Sequence, residues 1–152
     1  MTDGTKPELV LASASPRRVD LLRQIGLTPD RIDAADLDES PRQNETPRAC
    51  VARLARMKAE LVAMRCQQEA LVLAADTLVA VGRRILPKAD DRATAERCPR
   101  PLSGRRHTVL TAVCVMPAGG RAAGRLVVRP APAHVPFPRL PLSPIAAPPR
   151  HA

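Results

Sequence analysis

Four groups of side chains in this chain have types and spacings suited to chemistry. The first is the run Ser13-Ala14-Ser15-Pro16-Arg17-Arg18. Ser15 is a natural helix N-cap and Pro16 suits the first helical position, so free backbone N–H groups and the positive helix end would face the turn. Permanent charge on Arg17 and Arg18 makes the same point an anion site, best matched to a phosphate chain, with Ser13 and Ser15 as further donors. An ordinary capped strand-to-helix junction with two solvated arginines is the alternative. The second group is Asp36, Asp38 and Glu39. Clustered carboxylates suit hard cations such as Mg²⁺ or Mn²⁺, which take oxygen ligands; a solvated acidic loop is the plainer reading. The third is Lys58, in the middle of an apolar helical stripe of Val51, Leu54, Ala55, Leu61 and Val62. A lysine there costs burial free energy unless its ammonium meets an anion or snorkels to water. The fourth is Asp76, directly after the apolar run ALVLAA over residues 70–75. A carboxylate at the end of an interior strand is costly unless it binds a metal or has donors, and ligands of open α/β sheets sit at the carboxyl ends of strands. That makes Asp76 the strongest catalytic candidate, with a turn-capping aspartate as its alternative.

These residues need elements to hold them. An apolar run over residues 9–12 reads as a strand, and Val19, Leu22 and Ile25 recur at helical spacing after Pro16. Gly26 is placed to cap that helix. A short strand over residues 31–35 would deliver the acidic cluster. Residues 41–47 form a polar linker, and a helix follows over 48–65. Residues 70–75 have the continuous apolar character of a buried strand ending at Asp76. Residues 78–81 and 84–86 flank Gly82-Arg83 as a hairpin that presents Pro87-Lys88. A helix capped by Asp90 or Asp91 is interrupted at Pro99 and Pro101. Residues 108–115 read as a strand preceded by His107, which is either structural, a substrate contact or a residue that orients a neighbouring carboxylate. A hairpin turn over 118–121 leads to a last strand over 125–128.

The opening S-x-S-P-R-R with x-[DE]-L-L resembles the signature of the Maf family, the septum formation inhibitor Maf-like proteins, and the resemblance runs from Leu9 to Val128. It implies an α/β fold with a mixed central sheet, flanking helices and a cleft at strand ends, Maf/ITPase-like and incomplete at the C-terminus. It also implies hydrolysis of nucleoside triphosphates between the α and β phosphates. Ala55-Arg56-Met57-Lys58-Ala59 matches the family's helical A-R-x-K-A, which makes Lys58 a phosphate contact. Ala75-Asp76-Thr77 matches A-D-T, whose aspartate is assigned as general base. Acidic residues at the positions of Asp38 and Glu39 imply, with Asp76, a divalent metal set. Leu86-Pro87-Lys88-Ala89 keeps the lysine of L-x-K-P but not its proline, and carries Lys88 over as a phosphate ligand. S-P-R-R with A-D-T resembles the branch acting on dTTP and UTP, which points to Arg17 and Thr77 as specificity residues.

Composition bounds the rest. The chain has 152 residues and a net charge of +9. Residues 1–96 carry 15 basic and 15 acidic side chains, whereas residues 97–152 carry nine arginines and no acid. A basic half suits nucleic acid, but Phe137 is the sole aromatic residue, so base stacking has no platform and nucleic-acid binding is disfavoured. No long apolar run suggests a membrane span, and the first ten residues lack a signal-peptide pattern, which leads to a cytoplasmic expectation. Cys50, Cys66, Cys98 and Cys114 form no C-x-x-C pair and read as reduced core thiols. A nucleoside triphosphate is the expected partner, and a homodimer is a candidate assembly.

Eight of the last 23 residues are proline. Residues 1–129 therefore read as a partial Maf-like domain and 130–152 as a disordered or polyproline-like tail that cannot form a central strand. A frameshift or truncated gene is the expectation that follows from the family's longer C-terminal part, which includes a glutamine-bearing segment absent here. An inactive remnant that binds nucleotide without turnover is the second functional class, and a basic nucleic-acid-binding protein the third.

Overall fold

The computed structural model describes residue 4, residues 6–86 and 107–119, and the backbone of 127–135. Among the described residues six strands form one mixed sheet: β1 (Glu8–Leu11), β2 (Arg31–Ile32), β3 (Ala70–Val81), β4 (Arg84–Ile85), β5 (His107–Ala118) and β6 (Val127–Val135). Two helices belong to the described residues, α1 (Pro16–Gln24) and α2 (Pro47–Arg65). The strand order is β2-β1-β3-β5-β6, with β4 pairing β3 off this path. β1 is parallel to both β2 and β3, whereas β3, β5 and β6 are joined antiparallel.

Alternation sets the faces. Ala70, Val72, Ala74, Asp76, Leu78 and Ala80 of β3 are buried, while their odd-numbered neighbours are less so. Leu110, Ala112 and Cys114 of β5 lie opposite Leu78, Asp76 and Ala74, which extends the same buried face. α2 covers it with Cys50, Val51, Leu54, Ala55, Ala59 and Val62. Small alanines on the sheet let the helix approach closely, and each fully buried Val or Leu contributes about 1.5–3 kcal/mol. Lys58 is buried in the same helical stripe.

Two helix ends follow sequence chemistry. Thr46 caps α2 by accepting a hydrogen bond from the Ala49 N–H at 3.2 Å, with Pro47 at the first helical turn. Gly26, at φ 78°, closes α1: its N–H donates to the Arg23 carbonyl and the Leu27 N–H to the Leu22 carbonyl. Ser15 does occupy the N-cap of α1, but its side chain makes no capping hydrogen bond. Gly119, at φ 68°, is required by packing, since a Cβ there would collide with the Gln68 carbonyl.

Three expectations about strands are corrected. β3 does not stop at Asp76; it runs on as one strand to Val81, because the Lys58 ammonium meets the carboxylate inside the sheet. β2 covers only Arg31–Ile32, after which the chain leaves the sheet. The last strand extends to Val135, past the anticipated boundary at residue 129. Pro130 and Pro132 fit there because β6 is an edge strand among the described residues, and two positions of the same parity can both turn their missing N–H away from β5. The helix anticipated from Asp90 and the turn after Gly119 lie outside the described residues.

Candidate functional site

β1 ends beside Leu73, and β4 joins β3 only at Ala80 and Val81. Residues 74–78 of β3 therefore have no strand on that side among the described residues, and Asp76 sits in this gap. The site is thus at the carboxyl end of β1, as an open sheet would place it, but its aspartate stands in mid-strand on β3.

Asp76 is fully buried, and its Oδ1 accepts a hydrogen bond from Lys58 Nζ at 2.7 Å. Glu39 brings a second carboxylate to the same ammonium, with Oε1 at 2.6 Å. Three elements thus converge: α2 supplies the cation, β3 one carboxylate, and the segment after β2 the other. Burying Lys58 in an apolar stripe is tolerable only because both acids compensate its charge. Of the two fates for Lys58, the structure adopts the anion-paired one rather than snorkelling.

A cavity of about 310 Å³ adjoins this trio, lined by Ala12, Ser13, Ala14, Ser15, Arg18, Ala34, Ala35, Glu39 and Lys58. The turn after β1 forms one wall. Ser13 is buried, and its Oγ accepts from the Ser15 N–H at 3.2 Å and from Arg18 Nη1 at 2.9 Å. Ser13, rather than Ser15, is the side chain that organises the turn. The amino end of α1 and the Arg18 guanidinium then border the cavity, which makes this wall electropositive.

Among the sequence-derived candidates, Ser13, Ser15, Arg18, Lys58, Glu39 and Asp76 are brought together. Arg17 is exposed and lies off the cavity lining. Thr77 alternates onto the opposite face of the sheet, where its hydroxyl hydrogen-bonds that of Thr111 at 2.9 Å. Asp38 is exposed, and its Oδ1 accepts the Ser40 N–H at 3.0 Å; hydrogen bonds from Ser40 hold this carboxyl below the usual range. A short Asp side chain readily bonds its own backbone two residues on, and this turn directs Asp38 away from the cavity while Glu39 points in. Asp36 is exposed as well. Lys88 lies outside the described residues, and His107 is buried at the start of β5.

Cys50 and Cys114 are no nucleophiles. Both are buried free thiols, and burial pushes Cys114 up to about 11. No cluster of three or more His, Cys, Asp or Glu side chains is arranged for a metal among the described residues. The donor chemistry still fits a hard divalent cation: two carboxylates converge on one cationic point at the cavity edge, and such ions take their remaining ligands from water and phosphate.

Sequence reasoning missed the cavity wall made by Ala34 and Ala35, for which residue type offers no signal. It also missed Glu45, which pairs bidentately with Arg53. The run Glu45-Thr46-Pro47 ahead of α2 was the available cue, since an acid beside a cap is set close to the helix surface.

Known proteins share both the sequence and the fold. Residues 8–147 match the family model described as Maf-like protein. A dTTP/UTP pyrophosphatase of Gluconobacter oxydans is 59% identical over 119 residues, covering 78% of this chain and 55% of the relative. One from Caulobacter vibrioides is 60% identical over 121 residues, covering 80% and 62%. One from Rhodospirillum rubrum is 56% identical over 138 residues, covering 91% and 63%. The chain therefore spans between 55% and 63% of the length of these relatives. Among solved structures, the Staphylococcus aureus Ham1 protein matches with a TM-score of 0.52 at 16% identity, over 85% of this chain and 72% of that one. A HAM1 protein from Coxiella burnetii gives 0.50 at 14%, over 86% and 73%. At such identity the likeness concerns the fold, a mixed sheet with flanking helices, as the sequence implied.

Proposed function

The chain belongs to the Maf-like family, and from that premise we propose that it is a nucleoside triphosphate pyrophosphatase acting on dTTP and UTP. The observation that carries this reading is the junction of two unlike surfaces at one cavity: an anion-binding turn of Ser13, Ser15 and Arg18, and a carboxylate pair, Asp76 and Glu39, joined by Lys58. The names of the relatives supply the substrate class.

In this reading, the phosphate chain lies along the turn. Hydrogen bonds from the first turn of α1 and the Arg18 guanidinium bind the phosphoryl oxygens and stabilise charge on the departing pyrophosphate. Lys58, at the cavity edge, contacts the phosphate chain while holding Asp76 and Glu39 in place. Asp76 accepts a proton from the attacking water, which adds to the α phosphorus as the bond to the bridging oxygen breaks, yielding the monophosphate and pyrophosphate. Asp76 and Glu39 would also hold a divalent cation, Mg²⁺ or Mn²⁺, which when bound supplies charge neutralisation and a more acidic water. Arg17 and Lys88 are proposed as further phosphate contacts, with Arg17 also a specificity residue, whereas Thr77 on the opposite sheet face and Asp38 turned away from the cavity are given no role.

The test is product analysis with dTTP, UTP, CTP and GTP in the presence of Mg²⁺ or Mn²⁺. Equimolar pyrophosphate and monophosphate from dTTP and UTP are expected, with less from CTP and GTP. Release of orthophosphate and diphosphate would contradict α–β cleavage. Nucleotide-induced thermal stabilisation with no hydrolysis would make the chain a binding protein instead.

A further inference from the structure

Glu39 reaches Lys58 from a segment without regular structure, so something must fix that segment. Between β2 and α2 the only described backbone-to-backbone hydrogen bond within residues 36–45 is Glu45 N–H to the Arg42 carbonyl, at 3.1 Å. Leu37 packs against the core and Asp38 Oδ1 accepts the Ser40 N–H, while from Ser40 to Glu45 the segment is gathered by one side chain. Arg53, two turns into α2, places Nε 2.6 Å from Glu45 Oε1 and Nη2 2.9 Å from Glu45 Oε2. The same Nη2 donates to the Ser40 carbonyl at 3.1 Å, on the residue that follows Glu39. Glu45 Oε2 in turn accepts the Arg42 N–H at 2.9 Å, and Asn44 adopts a left-handed φ of 59° that turns the chain toward the helix. Arg53 and Glu45 are 14% and 10% exposed, so the fork works in a largely dry environment.

We infer that Arg53 is a positioning residue: its guanidinium grips Glu45 and the Ser40 carbonyl together, and by fixing residues 40–45 against α2 it sets Glu39 on Lys58. Its effect on turnover rests on the pyrophosphatase reading above; its effect on the segment does not. A fork is required, because a lysine at this position keeps the charge but cannot hold Glu45 bidentately and Ser40 at once.

Two measurements test this. The first needs no nucleotide: amide hydrogen exchange over residues 36–44 in the wild type, Arg53→Lys and Glu45→Gln. Both variants should exchange faster by about tenfold or more there while the amides of α2 from Cys50 onward stay protected. The second is a cycle with Glu39→Gln, read as dTTP turnover. Arg53→Lys alone should lower kcat by roughly 10- to 100-fold with KM changed by no more than about twofold, as expected for misplacement of a catalytic group. Added to Glu39→Gln it should cost less than about twofold more, since the group it positions has already been removed. A variant that merely weakened the fold would multiply with Glu39→Gln instead. Unchanged exchange over residues 36–44 in both variants, or multiplicative losses, would overturn the assignment. If the wild type released no pyrophosphate, the pyrophosphatase reading would fail, and the exchange result would decide the clamp by itself. Should Arg53→Lys not fold, Glu45→Gln carries both the exchange and the turnover measurement in its place.

Discussion

Arg53 and Lys58 leave the same helix, and each meets a glutamate from the stretch between β2 and α2, yet the two nodes are built differently. Arg53 and Glu45 match fork to fork, and the guanidinium's remaining contacts go to the Ser40 carbonyl and to sulfur atoms of Cys50 and Met57. That node lies off the cavity lining and acts on the chain alone. Lys58 instead shares one compact ammonium between Asp76 and Glu39, which come from different elements, and it lines the cavity. A point charge with rotatable donors can be shared with an arriving phosphate, whereas a saturated planar fork is committed to its partners. A buried ion pair is thus a clue to function when it is shared between elements and open to a cavity, and a clue to architecture when it closes on itself.

The contrast can be broken most severely at Lys58. Lys58→Met leaves Asp76 inside the sheet without its ammonium, and loss of one partner of a buried pair costs about 3–5 kcal/mol. Denaturant unfolding should show that loss together with abolished turnover. Lys58→Met with Asp76→Leu removes both charges and should regain most of the stability while remaining inactive. If the double variant were as unstable as the single one, the pair would be architectural after all.

Acid sharpens the other side of the comparison. The hydrogen-bonded Arg53 guanidinium holds the Glu45 carboxyl down at about 2, against an ordinary 4.5. The unfolded chain therefore takes up this proton first as pH falls. The stabilisation is fully present above about pH 4.5 and is lost as pH drops toward about 2. Thermal midpoints recorded across that window should fall less steeply for Glu45→Gln than for the wild type; parallel slopes would mean that the fork does not persist in solution.

Much of this was legible in residue types. The glycine-capped end of α1, the apolar stripe of α2, the β3–β4 hairpin and the turn between β1 and α1 all rest on local rules of period, cap and turn, and local rules are readable along a chain. Lys58 and Asp76 stood out because charge inside an apolar pattern demands a partner. That Lys58 is the partner of Asp76 was not legible, because 18 residues separate them and only the packing of α2 on β3 brings them together. The same limit explains the strand end wrongly assigned to Asp76: a paired aspartate no longer breaks a strand, but the pair is invisible until the helix is docked. Asp38 and Glu39 could not be told apart by type; a turn at Ser40 separates them. Thr77, adjacent to Asp76, necessarily faces the other side of the sheet, as alternation alone requires.

Whether Asp76 carries the chemistry or the fold is decided by Asp76→Asn. The asparagine oxygen can still accept from Lys58, and Glu39 still balances the ammonium, so the thermal midpoint should stay close to that of the wild type. Pyrophosphate release from dTTP should nevertheless fall by about 10²- to 10⁴-fold, the range contributed by a positioned general base. A folded Asp76→Asn protein with wild-type turnover would remove Asp76 from the mechanism.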